Sequence, residues 1–176
     1  MDVVVERNAV VVVAGIPGAG KTTLIDRAVD RTSAVVLDTD DRRRAGRASR
    51  RKSVRVARHY YGIVSAVVRR TDLPVVVHSR GTTALARRMV AGLAHLRGRP
   101  AHLVLLMATH AEAVDGQRRR GRTIARGEMT THVERFAGLV ADRETTARRE
   151  GWATITILDR ANAAQVGRIG RGPSAG

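Results

Sequence analysis

Gly15-Ile16-Pro17-Gly18-Ala19-Gly20-Lys21-Thr22 brings three glycines, a lysine and a hydroxyl together at the spacing G-x-x-x-x-G-K-T. Glycines so placed let the backbone wrap until successive N–H groups face one anionic centre. The lysine then reaches the β- and γ-phosphates of a nucleoside triphosphate, and the hydroxyl after it ligates Mg²⁺. The expected nucleotide contacts are Gly15, Pro17, Gly18, Ala19, Gly20, Lys21, Thr22 and Thr23, with Thr22 also a metal ligand. Only two of the 32 basic residues are lysines, Lys21 and Lys52. In a chain that otherwise carries its positive charge on arginine, a lysine at this one position points to a specific task.

Phosphoryl transfer also needs an acid beside the γ-phosphate, to hold Mg²⁺ through water or to accept the proton of an attacking hydroxyl. Asp38-Thr39-Asp40-Asp41 supplies three. A helix cap would use one aspartate, so the surplus points to chemistry, with Asp40 as the base, Asp38 on Mg²⁺ or substrate and Asp41 on the acceptor side. Arg118, Arg119, Arg120, Arg122 and Arg126 cluster in a stretch, 117–127, where a lid would close. Arginines brought over a transferring phosphate stabilise its charge and exclude water, and Arg120, Arg122 and Arg126 are the expected clamp. A solvated arginine-rich turn is the competing reading. Arg80, in His78-Ser79-Arg80-Gly81, is an expected phosphate or substrate contact. His78 itself suits a hydrogen-bonded structural role better than catalysis. His59, His95, His102, His110 and His132 lack metal-ligand spacing.

These residues need a scaffold, and the hydropathy pattern supplies one. Apolar runs at Val10–Val13, Ala34–Leu37, Leu73–His78, His102–Met107 and Thr154–Leu158 alternate with helical periods. That alternation predicts an α/β fold with a parallel five-stranded sheet and helices on both faces. Leu24, Ile25, Ala28 and Val29 mark the helix after the phosphate loop, and Leu85, Met89, Leu93 and Leu96 mark another, closed by Gly98 and Pro100. Thr109 with Glu112, and Thr131 with Glu134, have capping-box spacing, the second opening a long helix through Val133, Phe136, Val140 and Ala147. A last helix is expected over 161–169, and 170–176 reads as a disordered tail. The sheet's carboxyl edge is where ligands bind in such folds, and the phosphate loop, the acids and the His78 to Gly81 turn all fall there.

With 176 residues and 43% hydrophobic content, one domain over 1–169 is expected. There is no cysteine, so disulfides and thiolate metal sites are excluded. Apolar runs are too short to span a membrane, and Met1–Asn8 carries acids without the apolar core of a signal peptide, which predicts a cytoplasmic protein. The net charge of +16 suits a polyanionic partner. GC-rich coding also produces arginine excess, and one Trp, two Tyr and one Phe leave little for base stacking.

Gly15 to Thr22, Asp40-Asp41-x-Arg43 and the arginine lid from Gln117 to Arg126 resemble the small P-loop kinases. That group includes the kinase domain of polynucleotide kinases, the chloramphenicol phosphotransferases and many bacterial ATP-binding proteins labelled as AAA-family ATPases. The resemblance runs from Val10 to Arg160. His78-Ser79-Arg80-Gly81-Thr82, Gly116-Gln117 with Arg120-Gly121-Arg122, and Leu158-Asp159-Arg160 are similar to an actinobacterial branch of the group. The resemblance implies a three-layer P-loop NTPase fold with strand order 2-3-1-4-5, ATP as donor, Mg²⁺ as cofactor and a hydroxyl acceptor. It also maps the general base to Asp40 and a substrate-binding arginine to Arg43. His78 stands where many P-loop NTPases keep a Walker B aspartate, which leaves Mg²⁺ to Thr22, water and the Asp38 to Asp41 cluster. The length is short for a full AAA+ motor. A small-molecule acceptor is the expected substrate. The alternatives are a nucleic-acid 5′-hydroxyl, with the eight arginines of 42–58 on the backbone, and a nucleotide switch without acceptor chemistry.

Overall fold

The computed structural model describes residues 1–38, 62, 64–81, 83–119, 121 and 126–172, with the backbone alone at 38, 126–129, 131 and 132. In chain order the elements begin β1 (Val3–Val5), β2 (Val10–Gly15), α1 (Lys21–Ala28), β3 (Val35–Asp38), α2 (64–70) and β4 (Val75–Ser79). They continue α3 (Ala84–His95), β5 (Ala101–Leu106), α4 (His110–Arg118), α5 (Arg126–Ala141), α6 (Arg143–Glu150), β6 (Thr154–Leu158), α7 (Arg160–Gln165) and β7 (Ile169–Arg171).

All six residues of β2 are buried. An unbroken run of β-branched valines suits a strand covered on both faces, and β2 lies at the middle of a parallel sheet ordered β3-β4-β2-β5-β6. Counted within that sheet, beginning at β2, this is the expected order 2-3-1-4-5. Parallel neighbours need crossovers, and these are right-handed. The leftward step from β2 to β3 therefore puts α1 on one face, and the rightward step from β4 to β5 puts α3 on the other. Val12 lies level with Val77 on one side and Leu103 on the other, and all three are essentially inaccessible.

Two expectations are corrected. The chain after Gln165 is neither helix nor loose tail as far as Arg171. Val166 is extended, and β7 pairs in parallel with β1, Val3 level with Ile169 and Val5 with Arg171. Ile169 is 1% exposed, and burying it against the same core as Val3 holds both chain ends. The helix marked by Leu85, Met89, Leu93 and Leu96 is α3, and it packs through its small residues: Ala91 and Ala94 are fully buried, whereas Leu85 is 71% and Leu96, its C-cap, 81% exposed. Large apolar side chains at helical spacing mark a helix without saying which face is turned inward. The second correction concerns the long helix: it starts at Arg126, which places Thr131 inside it rather than at its start, and it is broken at Asp142, where ψ of 35° leaves the helical range. The break lets Phe136 and Leu139 of α5 enter the core while α6 packs on α3 and β6.

The amino end of the sheet is fastened by two buried polar groups. Arg99, 4% exposed, donates to the carbonyls of Asn8, Val68, Thr71 and Leu73, with 2.9, 2.8 and 2.6 Å to the last three. His102 on β5 binds Thr154 through Nδ1 at 2.8 Å and the Glu6 carboxylate through Nε2 at 2.6 Å. Partial burial pushes the Glu6 carboxyl up, but its backbone hydrogen bond, its bond to His102 and the His102 charge outweigh this and set it below its ordinary value. None of the helices among the described residues is long and apolar enough to cross a membrane.

Arg99→Met leaves buried carbonyls without a donor and is expected to lower the unfolding free energy by about 1–3 kcal/mol, read from denaturant unfolding. Glu6, with a folded pKa below its unfolded one, adds stability that is complete above the ordinary value of 4.5 and is lost as pH falls through the folded value. Thermal melts across the acid range are expected to show a shallower acid limb for Glu6→Gln than for the wild type.

Candidate active site

At the end of β2 the chain turns through Gly15 to Gly20 into α1. Gly18 and Gly20 have φ of 89° and 96°, a region that costs an L side chain about 1–2 kcal/mol. Gly20 is the N-cap of α1 and has no side chain with which to cap it. The first-turn N–H groups of α1 and the positive end of its dipole are thus directed at the loop, the arrangement that binds phosphate. Lys21 is 4% exposed and folds back, its Nζ donating to the carbonyls of Gly15 at 2.7 Å and Ile16 at 3.1 Å. Pro17 and Ala19 are buried beneath the loop, Thr22 is half-buried and Thr23 exposed. A glycine cradle, a helix start without a side-chain cap, a buried ammonium and a hydroxyl beside it fit the polyphosphate of a nucleotide.

The loop is held from above by α4, in backbone-to-backbone contact. A methyl group on Gly18 would lie 2.1 Å from the Ala113 carbonyl oxygen, and one on Gly116 would lie 2.3 Å from the Gly18 carbonyl oxygen. The start of α4 is fixed by the expected capping box: the Thr109 hydroxyl accepts from the Glu112 N–H at 3.2 Å, and the Glu112 carboxylate accepts from the Thr109 N–H at 2.8 Å. These bonds from Thr109 hold the Glu112 carboxyl below its ordinary value. Gln117 is buried, and the Arg119 guanidinium is engaged by Asp115 one turn earlier. Gln117 and Arg118, read as the start of the lid, are the last turn of α4.

On the other side of β2 lies the turn after β4. Strand register sets Asp38 level with His78, and His78 level with Val13. His78 is 4% exposed. The Gly15 N–H donates to the Arg80 carbonyl at 3.3 Å, which fastens this turn to the phosphate loop. Gly81 sits where a methyl group would meet the Ala14 side chain at 2.3 Å. The sheet thus brings the phosphate loop, the backbone of Asp38, His78 and half-buried Arg80 to one end. Asp40, Asp41, Arg43, Arg120 and Arg122 lie outside the described residues, and Arg126 is described only by its backbone, as the first residue of α5. Among the described residues no three His, Asp or Glu side chains cluster to hold a metal.

A cleft of ≈ 180 Å³ opens beside the first turns of α1, between Gly20, Thr23 and Arg27 and the α7 residues Arg160 and Ala163. Arg27 donates to the carbonyl of Ala163, joining α1 to α7. Asp159 caps α7 by accepting from the Asn162 N–H, which orients Arg160 at the helix start. Sequence reasoning named Gly81 and Gly116 within motifs but gave neither its packing role, and it missed this cleft. The signal for Gly116 is a glycine inside a capped helix, where its helix-weakening effect calls for a packing reason.

A family model described as an AAA domain matches residues 10–144, most of the chain. The chain belongs to this AAA domain family. No protein of curated function matches it. Among solved structures, the AAA domain is similar to a gluconokinase from Sinorhizobium meliloti 1021, with a TM-score of 0.59, 15% identity, and coverage of 92% of this chain and 89% of the other. It is similar to the tunicamycin resistance protein of Deinococcus radiodurans, with a TM-score of 0.52, 21% identity, and coverage of 95% and 100%. It is also similar to Chaetomium thermophilum Kti12 in complex with ADP-AlF3, with a TM-score of 0.59, 16% identity, and coverage of 89% and 94%. At these identities the likeness is one of fold, that of the P-loop kinases and ATPases. Family and fold make this AAA domain an ATP-using enzyme, a kinase or an ATPase.

Gly116→Ala is expected to wedge α4 off the loop, at the cost of about 1–3 kcal/mol typical of overpacking, with weaker ATP binding by calorimetry. Gly92 and Gly138, helical glycines with nothing within 4 Å of an added methyl, are the controls. Alanine there is expected to leave ATP binding unchanged and to stabilise by about 0.4–1 kcal/mol.

Proposed function

We propose that this protein is a phosphotransferase that moves the γ-phosphate of ATP to a hydroxyl of a small-molecule acceptor. The observation that carries the reading is the phosphate loop with its uncapped helix start and buried Lys21, at the same sheet end as the Asp38 strand terminus and the Arg80 turn. A pure nucleotide switch needs the first of these but has no use for an aspartate-bearing strand end and an arginine turn beside it.

In this reading the loop N–H groups from Gly15 to Thr22 cradle the polyphosphate, and Lys21 exchanges the Gly15 and Ile16 carbonyls for phosphate oxygens. The exchange is favourable because a hydrogen bond to an anion is roughly twice as strong as one to a neutral acceptor. Thr22 and Asp38 would hold Mg²⁺, which would supply positive charge against the phosphate oxygens during transfer. The cleft beside Arg160 takes the nucleoside. Asp40 accepts the proton of the acceptor hydroxyl as its oxygen attacks the γ-phosphorus, the bond to the bridging oxygen breaks and ADP leaves. Arg120, Arg122 and Arg126 close over the transferred group, while Arg80, Arg43 and Asp41 hold the acceptor. A nucleic-acid 5′-hydroxyl is the second reading, favoured by the net charge of +16. Binding of oligonucleotides that weakens steeply with salt would support it.

The test is transfer of labelled γ-phosphate to pooled sugars, nucleosides, aminoglycosides, phenicols and 5′-hydroxyl oligonucleotides. A product that disappears with Lys21→Ala supports the reading and names the acceptor class. Asp40→Asn is expected to lower turnover about 10²-fold or more with ATP affinity nearly intact. Wild-type turnover in that variant would remove Asp40 from the base role. ATP binding without any product would transfer the assignment to a switch.

A further inference from the structure

One buried ionic cluster has no place in the phosphate site. Arg87 of α3 and Glu150, the last residue of α6, are 8% and 4% exposed at their side chains. Their contact is a fork: Arg87 Nε donates to Glu150 Oε2 at 2.8 Å and Nη2 to Oε1 at 2.6 Å. The Trp152 indole N–H donates to Glu150 Oε2 at 2.9 Å. The remaining arm of the guanidinium, Nη1, donates to the carbonyl of Gly81 at 2.7 Å.

A pair this deep is weak evidence for stability. Desolvating both charges offsets most of their attraction, and replacing such a pair with apolar residues of similar volume is often neutral or stabilising. What an apolar pair could not do is hold the Gly81 carbonyl. Gly81 is pressed on the Ala14 side chain at the end of β2, and the carbonyl one residue earlier, Arg80, accepts from the Gly15 N–H of the phosphate loop. The turn from Ser79 to Gly81 is thus pinned from two sides, by the phosphate loop and by Arg87. Glu150 fixes the guanidinium plane, and Trp152 fixes the carboxylate.

We propose that Arg87, oriented by Glu150 and Trp152, is a positioning residue that seats the Ser79–Gly81 turn against the phosphate loop and so aims Arg80 at the transferring phosphate or the acceptor. The catalytic consequence rests on the phosphotransferase reading, while the seating of the turn does not.

The test is the double variant Arg87→Met/Glu150→Met in the full chain, with Arg87→Lys as a second variant that keeps the charge and loses the fork. Amide exchange of Gly15 reports the seat directly. It is expected to accelerate about tenfold or more in the double variant, as for a lost local closing interaction of 1.4 kcal/mol, while Val12 in mid-strand is unchanged. ATP turnover, with the acceptor found above or with water, is expected to fall about 10–100-fold in kcat with nucleotide affinity held, and Arg87→Lys to fall between. A folded double variant with wild-type Gly15 exchange overturns the proposal. So does wild-type kcat where the wild-type enzyme turns over ATP. Failure of both variants to fold overturns it in favour of a purely structural pair. If the wild type transfers no phosphate to any acceptor or water, the phosphotransferase reading falls, and Gly15 exchange alone still decides whether the turn is seated by Arg87.

Discussion

The carboxyl end of β2 is packed backbone against backbone, and the rest of the site depends on that. Gly18 lies under the Ala113 carbonyl, Gly116 under the Gly18 carbonyl, and Gly15 against Leu106, with no space for a side chain at any of the three. A phosphate loop must present N–H groups rather than side chains to its ligand, so the chain has to approach closely where it turns. Hydrophobic burial holds β2 at the centre of the sheet, and glycine lets α4 and the turn after β4 close on it. Interiors packed at crystal density transmit small displacements rather than absorb them. Contacts of this kind therefore make the loop, α4 and the β4 turn one mechanical unit.

The two ends of the sheet are built with different chemistry for a physical reason. At the amino end, Arg99 and His102 spend their polar atoms on backbone carbonyls, Glu6 and Thr154, and the result is closed. At the carboxyl end, a helix starts without a side-chain cap and a buried lysine rests on two carbonyls that a phosphate can replace. A satisfied polar group fastens structure, whereas one held by exchangeable partners is ready for a ligand. This contrast distinguishes the candidate-site end of the sheet from its amino end.

Some of this was legible in the residues. The Val10–Val13 run could only be a strand covered on both faces, and G-x-x-x-x-G-K-T after it could only turn there. The Thr109 and Glu112 capping box closed as its spacing required, because both of its bonds lie within one turn of chain. Thr131 and Glu134 have the same spacing but lie inside a helix that had already begun at Arg126. A local motif is decided locally only where nothing upstream competes for the same backbone. The apolar stripe of α3 placed the helix and left its inward face open: packing selected the small face of Ala91 and Ala94, which lets the helix lie close on β2 and β5.

The sequence by itself determined the alternation of strands and helices and the phosphate loop, because these follow from periodicity and from a motif contiguous in the chain, while the strand order followed from the resemblance to the small P-loop kinases. Only the tertiary structure decided which residues far apart in sequence support them. Val3 meets Ile169, Arg27 meets Ala163, Gly18 meets Gly116 and Arg87 meets Glu150. None of these pairs has a spacing that a helix or a turn would impose. Each exists because right-handed crossovers and a shared core bring remote segments within a few ångströms, where a hydrogen bond or a missing methyl group then determines how closely they meet.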